Sequence, residues 1–186
     1  MRSSNVEQTL GRARRRPHQF VEPVSAERDW KPDGGPVVHV VLVEPEIPQN
    51  TGTIVRLCAA TACPLHLVEP LGFSVDDRTL RRAGLDYWRY AEVTVHPSYR
   101  QLRESFSGAR FWLTSKKAHV PYTGVAYRPG DFLVFGKETT GLPQEWLEAE
   151  RERALLVPMF GPVRSLNLAN AVSIVVYEAL RQLRRF

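Results

Sequence analysis

Short β-rich runs alternate with helix-like patterns along the chain from residue 37 onward. Runs of β-branched, aromatic and other apolar residues predict six strands, at 37–43, 65–69, 91–95, 110–114, 131–135 and 154–158. Apolar residues at helical spacing predict helices between these strands, at 51–61, 76–83, 98–106 and 143–150. Alternation of this kind is typical of an α/β fold in which helices flank a mainly parallel sheet.

The last segment of the chain carries one long apolar stripe. Small and apolar residues recur there at helical spacing, at Leu168, Val172, Val175, Val176, Ala179, Leu180 and Leu183. Such a stripe is either buried within one subunit or, together with Tyr177, forms a face between two copies of the chain. The pattern alone leaves both interpretations open.

The first 36 residues differ from the rest. They show no sustained apolar periodicity, contain Arg-Ala-Arg-Arg-Arg at 12–16 and end in Lys-Pro-Asp-Gly-Gly-Pro. We therefore expect a basic, flexible arm at 1–36 and one domain at 37–186. The arm is either an RNA-binding element or a chain start without function. It holds seven basic and five acidic groups, so the net charge of +5 leaves only +3 on the domain, which permits a polyanionic partner without requiring one.

Apolar runs and cysteines in the sequence indicate whether a protein enters a membrane and in which compartment it lies. The run at 37–43 is far shorter than the roughly 18–20 apolar residues of a membrane-spanning helix, and the first residues lack the apolar region of a secretory signal. The two cysteines, Cys58 and Cys63, are too close together in one predicted helix and its following turn to form a disulfide framework. These features predict a cytoplasmic protein with no membrane partner.

Several common catalytic signatures are absent from the sequence. No G-x-G-x-x-G follows the first predicted strand and no G-x-S-x-G occurs. Gly136-Lys137 is not a phosphate-binding loop, because Asp131 stands where that motif needs glycine and Glu138 where it needs a hydroxyl. The five histidines are scattered, and neither cysteine has the spacing of a metal ligand. We therefore expect neither nucleotide hydrolysis, hydride transfer nor a metal.

Three polar, glycine-bearing segments each follow a predicted strand. Parallel sheets bind ligands beyond the carboxyl ends of their strands, so this placement favours a site. In the first segment, 44–56, Asn50 or Thr51 can cap a helix and Arg56 follows within about two turns. The alternative for this segment is a capped helix with a solvated arginine.

The second and third segments carry further polar groups. In 135–143, two glycines allow close approach of the backbone to a ligand, and the alternative is a tight turn with a solvated Glu138. In 157–172, Ser165, Asn167 and Asn170 stand near the start of a helix. They form either a hydrogen-bonding site for a polar ligand or plain helix caps.

Taken in order, the three segments resemble the three motifs of SPOUT-superfamily RNA ribose 2′-O-methyltransferases. The matching residues are Asn-Thr-Gly-x-x-x-Arg at 50–56, Phe-Gly-x-Glu-Thr-x-Gly-Leu-Pro at 135–143 and Val-Pro-Met with Arg-Ser-Leu-Asn-Leu-x-Asn-Ala-Val at 157–172. Shorter matches narrow the resemblance to the TrmL (YibK-like) tRNA cytidine/uridine 2′-O-methyltransferases, at 44–48, 69–73, 80–87 and 177–178. The resemblance covers about residues 37–184.

This resemblance implies a fold and an activity. The fold is a SPOUT domain with a C-terminal deep trefoil knot, an exception to the usual topology rules. The activity is S-adenosylmethionine-dependent 2′-O-methylation of a tRNA ribose, at the cytidine or uridine of the anticodon wobble position, by a homodimer with its active site near the subunit interface and without a metal. The alternatives are a SPOUT enzyme acting on another tRNA site or on rRNA, and a non-catalytic RNA-binding protein of the same fold.

The resemblance also implies roles for single residues. The catalytic residue is Arg56, and contacts to the cofactor fall on Leu113, Gly136, Val157 and Ser165. Support for the active site falls on Asn50, Glu138, Arg164, Asn167 and Asn170. Arg81 and Arg82 are candidates for RNA binding, with a solvated helix face as the alternative.

Two positions depart from the family pattern. Lys137 stands where many relatives have proline, and its charge is expected to face RNA phosphate. Ala169 stands where many have serine, so a hydroxyl at that position is not essential here.

Overall fold

Seven parallel strands form one sheet in the structure, a computed structural model that describes residues 37–74 and 85–184. The strands are β1 Val38–Val43, β2 Leu65–Val68, β3 Val93–His96, β4 Phe111–Thr114, β5 Val120–Pro121, β6 Asp131–Phe135 and β7 Ala154–Leu156. Their order across the sheet is β3-β2-β1-β6-β4-β7-β5, and every strand pairing is parallel. The six predicted strands and the α/β class are therefore confirmed, and only the two-residue β5 was not predicted.

Four α-helices accompany the sheet within the described ranges. They are α1 Pro48–Thr61, α2 Tyr99–Ser105, α3 Gln144–Ala149 and α4 Leu168–Arg184, with 3₁₀ turns at Leu85–Tyr90 and Arg151–Arg153. The arm 1–36, the helix expected at 76–83 and the RNA-binding candidates Arg81 and Arg82 lie outside the described residues.

Helix α1 begins three residues earlier than the sequence predicts. Ile47 is its N-cap and Pro48 its first residue, so Asn50 and Thr51 lie inside the first turn. The prediction that Asn50 or Thr51 caps this helix is wrong. Proline at the first helical position needs no N–H partner and has a φ angle suited to a helix, which moves the start of the helix to Pro48.

Strands β6 and β7 enter the sheet between strands that precede them in the chain. β6 pairs with β1 on one side and β4 on the other, and β7 pairs with β4 and β5. The carboxyl ends of β1, β6, β4 and β7 therefore lie side by side. The three polar segments follow three of these four strands, so the topology brings them to one edge of the sheet.

The sheet has an apolar core on each face. On one face, side chains of β1 and β2 pack against α1 and α4, and on the other β4 and β6 pack against α2 and α3. The stripe of α4 belongs to the first core, because Val172, Val175, Val176 and Ala179 are fully buried within this single chain. The stripe itself is thus not a face between subunits, whereas Tyr177 is 50% exposed.

The two cysteines, Cys58 in α1 and Cys63 just after it, are buried free thiols. No helix within the described ranges is long and apolar enough to cross a membrane.

Asp131, at the start of β6, is a buried carboxylate with four hydrogen bonds. It accepts them from Nε and Nη2 of Arg110 at 2.8 and 2.6 Å, from Nε1 of Trp112 at 2.9 Å and from the backbone N–H of Arg128 at 2.9 Å. A buried charge is tolerated when it is paired and fully hydrogen-bonded. This cluster therefore joins β4, β6 and the turn before β6.

We expect Asp131→Ala to lower the free energy of unfolding by about 2–3 kcal/mol, because the substitution leaves a half-buried guanidinium and an indole N–H without their acceptor. Urea denaturation measures the loss. The control is Glu104→Ala, which removes an exposed ion pair with Arg100 and should change stability far less, because solvent screens exposed pairs. Equal losses in the two variants would contradict this role of Asp131.

Three histidines on adjacent strands form a hydrogen-bonded row on one face of the sheet. Nδ1 of His39 lies 2.9 Å from Nε2 of His66, and Nδ1 of His66 lies 3.0 Å from Nε2 of His96. The ring of Phe132 stacks on His39 with centroids 4.2 Å apart. Burial lowers the pKa of His39 to about 4 and that of His66 to about 3, and it also lowers the pKa of His96.

This row makes the fold acid-sensitive. The unfolded chain protonates these histidines near pH 6.5, whereas the folded chain keeps them neutral to a much lower pH. Their contribution is therefore fully present above pH 6.5 and is lost as the pH falls toward 4 and then 3. We expect the unfolding free energy to fall by about 1.4 kcal/mol per pH unit for His66 alone. Thermal unfolding at pH 7 to 4 tests this: His66→Gln should flatten the slope, and exposed His119→Gln should leave it unchanged.

Candidate active site

A cavity of about 550 Å³ lies at the carboxyl edge of the sheet. It is formed by the first turn of α1, the loops that follow β4, β6 and β7, and the start of α4. Its lining residues are Ile47, Asn50, Thr114, Ser115, Lys116, Lys117, Phe135, Gly136, Lys137, Glu138, Thr139, Thr140, Gly141, Leu142, Val157, Met159, Arg164, Ser165, Leu166, Asn167, Leu168 and Ala171. All three polar segments found in the sequence thus contribute to one cavity.

Glu138 joins the second segment to the first. Its carboxylate accepts hydrogen bonds from the backbone N–H groups of Glu46 at 2.8 Å and Ile47 at 3.2 Å, and from Nδ2 of Asn50 at 3.0 Å. Donors at the start of a helix need acceptors, and the cap residue of α1, Ile47, has no side chain that can accept a hydrogen bond. Glu138 therefore caps α1 from a distant part of the chain, and it is not the solvated turn residue of the alternative interpretation.

A second contact closes the same junction. The carboxylate of Glu46, in the first segment, accepts hydrogen bonds from Thr139 in the second segment. The donors are the backbone N–H of Thr139 at 3.0 Å and its side-chain Oγ1 at 2.8 Å. Glu46 and Glu138 thus each accept hydrogen bonds from the segment that carries the other.

Asn167 joins the third segment to the first. Its Nδ2 donates to Oδ1 of Asn50 at 2.9 Å, while its Oδ1 accepts from the backbone N–H groups of Ala169 at 2.9 Å and Asn170 at 3.4 Å. Asn167 is therefore both the cap of α4 and a link across the cavity. Glu138, Asn50 and Asn167 form one continuous hydrogen-bonded chain through all three segments.

Lys137 is paired within the protein. Its Nζ lies 2.5 Å from a carboxylate oxygen of Glu44, and this partner raises the pKa of the lysine, so it stays protonated. The expectation that the charge faces RNA phosphate finds no support in this geometry, because Glu44 already neutralises it. Ala169 is buried at the start of α4, where its N–H is part of the Asn167 cap.

The loop after β6 is tightly folded at Gly136. A side-chain carbon added to Gly136 would lie 2.5 Å from the carbonyl oxygen of Gly141 and still closer to neighbouring backbone atoms. Gly141 itself has a φ angle of 73°, in the region that favours glycine. The two glycines therefore let this loop fold back on itself along the wall of the cavity.

Arg56 lies outside the set of residues that line the cavity. It is exposed on α1, where its Nη2 donates to the hydroxyl of Tyr87 at 2.9 Å and its guanidinium lies 4.3 Å from the centre of the same ring. Six residues separate it from Asn50, which corresponds to about 9 Å along the helix and about 120° around it. Arg56 is thus held by Tyr87 beside the cavity and not in its wall.

The structure separates the other predicted site residues into two groups. Seven line the cavity: Asn50, Gly136, Glu138, Val157, Arg164, Ser165 and Asn167. Leu113 does not, because its side chain is fully buried in the core, and Asn170 is exposed just beyond the lining.

Sequence reasoning missed Thr114, Lys116 and Lys117, which also line the cavity. They follow the carboxyl end of β4, the same kind of position that singled out the other segments, but their segment contains no glycine. Oγ1 of Thr114 is buried and has no hydrogen-bond partner among the residues that the structure describes. Within those residues, no group of three or more histidine, cysteine, aspartate or glutamate side chains is arranged to hold a metal ion.

Comparison with known proteins identifies the family. Residues 37–177 match the model of the SpoU rRNA Methylase family. The tRNA (cytidine(34)-2'-O)-methyltransferase of Escherichia coli K12 is 49% identical over 148 residues, which cover 79% of this chain and 94% of that protein. The protein of the same name from Saccharophagus degradans is 49% identical over 146 residues, covering 78% and 95%.

Solved structures agree with this family. One that concerns the 2-OH methylation of C/U34 on tRNA superimposes with a TM-score of 0.77 at 46% identity, covering 80% of this chain and 97% of that one. An AdoMet-bound rRNA methyltransferase from Sinorhizobium meliloti superimposes with a TM-score of 0.69 at 26% identity, covering 78% and 56%. The interleaved order of β6 and β7 accords with the deep trefoil knot that this family implies. The chain belongs to the SpoU methylase family of SPOUT methyltransferases and is an RNA ribose methyltransferase.

Proposed function

We propose that this protein transfers a methyl group from S-adenosylmethionine to the ribose 2′-oxygen of the wobble nucleotide, cytidine or uridine 34, of a tRNA. The observation that carries the proposal is the single cavity built by the three motif segments and tied together through Glu138, Asn50 and Asn167. Two relatives that are 49% identical to this chain, and that match it over at least 94% of their own length, are named for this activity.

The cavity suits a cofactor of this size and polarity. Its volume of about 550 Å³ lies in the range of small-molecule sites, and Thr114, Ser165 and Asn167 contribute polar side chains to its lining. Gly136, Val157, Ser165 and Thr114 would hold the cofactor, and Leu113 can contribute only through its backbone. S-adenosylmethionine supplies a methyl group activated by a positively charged sulfonium, chemistry that needs no metal.

Arg56 would act on the nucleotide that is methylated. A guanidinium stays protonated near neutral pH, so it is suited to bind phosphate or ribose and to stabilise negative charge that develops on the 2′-oxygen. Proton acceptance by Arg56 is the alternative role. The hydrogen bond and ring stacking of Tyr87 would hold the guanidinium in place for this purpose.

The position of Arg56 supports a homodimer with its active site near the subunit interface. A single chain leaves this arginine outside the wall of its cavity, so a second copy that meets the first beside the cavity would complete the site. Tyr177, half-exposed on α4, is a candidate contact. Light scattering should give twice the 21.2 kDa mass of the chain, and Tyr177→Asp should lower that mass. A monomer that methylates at full rate would contradict the dimer.

Methyl transfer to a defined RNA tests the function. We expect the purified protein to methylate an anticodon stem-loop with cytidine or uridine 34 and to leave a matched stem-loop with 2′-deoxynucleotide 34 unmodified. Methylation of both substrates would place the reaction elsewhere in the RNA. Binding without methylation of either would favour a non-catalytic RNA-binding protein, although Arg56, Glu138, Ser165 and Asn170 are all present here.

Another tRNA site or rRNA is the remaining substrate class, and the 26% identical rRNA methyltransferase represents it. This chain spans only 56% of that protein, whereas it spans at least 94% of the two wobble-position relatives, which favours tRNA. A tRNA substrate supports the proposal that the protein acts in the cytoplasm.

A further inference from the structure

An unusually exposed aromatic side chain lies in one of the loops that line the cavity. Phe160 lies in the loop between β7 and α4 and is 97% exposed. Met159, directly before it, and Arg164, four residues after it, line the cavity, and Val163 in the same loop is 60% exposed. The loop therefore exposes two apolar side chains between residues that line the cavity.

The stability of the fold does not explain why a phenylalanine stands at position 160. An aromatic ring normally contributes to stability by burying 150–250 Å² of surface, but this ring buries almost none. It is also the most exposed of the large apolar side chains among the described residues. A ring in this position is available to bind something outside the chain.

The surroundings of Phe160 carry positive charge. Lys116, Lys117 and Arg164 line the same cavity, and Nζ of Lys116 donates to the backbone carbonyl of Arg164 at 3.2 Å. That hydrogen bond ties the loop after β4 to the loop that bears Phe160. The carboxylate of Glu138, the acidic group in the cavity lining, is occupied by the start of α1. An exposed ring beside basic groups is the combination that binds unpaired nucleotides.

We propose that Phe160 stacks on an unpaired nucleobase next to the nucleotide that is methylated. This inference rests on the proposed function, because the ribose must reach the mouth of the cavity and its neighbours in the RNA then lie at the rim. In an anticodon loop those neighbours are unpaired, so their faces are free to stack. Arg164 and Lys116 would contact the phosphates on either side, and Phe160 would hold the strand in register.

Substitutions at Phe160 separate stacking from simple burial. We expect Phe160→Ala to raise the KM for the anticodon stem-loop about tenfold or more, in line with the loss of one base–aromatic stack. Phe160→Tyr and Phe160→Trp should keep a KM near that of the wild type, whereas Phe160→Leu, apolar but not aromatic, should resemble alanine. The melting temperature and the affinity for S-adenosylmethionine should not change.

Removal of the base provides the matched test on the RNA. With the wild-type protein, a stem-loop that has an abasic nucleotide at position 33 or at position 35 should have a higher KM than the intact stem-loop. We expect this increase at one of the two positions. Phe160→Ala should show no further loss with that RNA, since ring and base act as a pair. Independent, additive losses would overturn the stacking proposal, as would a leucine variant as good as phenylalanine.

Two other outcomes would also overturn it. If Phe160→Ala turned a dimer into a monomer in light scattering, the ring would be a contact between subunits and not a base platform. If the wild type methylated the unmodified stem-loop and Phe160→Ala did so with the same KM, stacking would fail while the proposed function stood. A wild type that methylates no tRNA substrate would remove the proposed function and this inference together.

Discussion

Replacement of Arg56 by alanine lowers the rate of methyl transfer by at least about 100- to 1,000-fold, the size of effect expected when a donor to developing negative charge is lost. The folded state should be nearly unaffected, because Arg56 is exposed and contacts Tyr87 at the surface of α1. Single-turnover methylation measures the rate, and calorimetric titration measures the affinity for S-adenosylmethionine, which we expect to be unchanged because Arg56 does not line the cavity.

Two variants control the result for Arg56. Arg56→Lys keeps the charge but loses the planar fork and the stack on Tyr87, so it should recover only a small part of the rate. Tyr87→Phe keeps the stack and removes the hydrogen bond of 2.9 Å, so it should cost much less than removing the arginine. Full activity of Arg56→Ala would remove this residue from the mechanism.

Replacement of Glu138 by alanine destabilises the fold and abolishes methyl transfer. Three donors lose a charged acceptor at once: the N–H groups of Glu46 and Ile47 and the amide of the buried Asn50. Hydrogen bonds to charged groups are each worth about 1.5–3 kcal/mol, and one of the three is exposed, so we expect a loss of about 3–5 kcal/mol. Urea denaturation measures this loss, and cofactor titration should show weakened binding because Asn50 also anchors Asn167.

Glu138→Gln is the matched control for this prediction. Glutamine has the same shape but one acceptor oxygen in place of two, and its amide group would face donors, so it should lose part of the stability and most of the activity. Thr140, also in the cavity lining but without a described role in the chain of hydrogen bonds, provides a second control as Thr140→Ala. A Glu138→Ala protein as stable and active as the wild type would contradict the capping role.

The strands and helices were predictable wherever a local pattern decides them. Six of the seven strands are short apolar runs, and the stripe of α4 repeats at helical spacing, so sequence neighbours alone carry the signal. The start of α1 was not predictable in this way. Its capping group, Glu138, lies about 90 residues further along the chain, and no local pattern reveals a partner at that separation.

Part of the cavity lining was also predictable from the sequence. The rule that ligands lie beyond the carboxyl ends of parallel strands, together with the family motifs, located seven of its residues. The side chain of Leu113 is buried in the core, because side chains alternate between the faces of a strand, whereas the next residue, Thr114, lines the cavity. The contact of Leu113 with the cofactor stays a prediction and would be made through its backbone. The place of Arg56 beside the cavity depends on its contact with Tyr87 and on helix geometry, which the motif does not encode.

Mapping of 2′-O-methylated nucleotides in tRNA from cells with and without the gene tests the central claim most directly. We predict that methylation of cytidine or uridine 34 disappears when the gene is deleted, returns with the wild-type gene and does not return with Arg56→Ala. Methylation of nucleotide 34 that persists after deletion, or a loss confined to another tRNA position or to rRNA, would contradict the wobble nucleotide as the substrate.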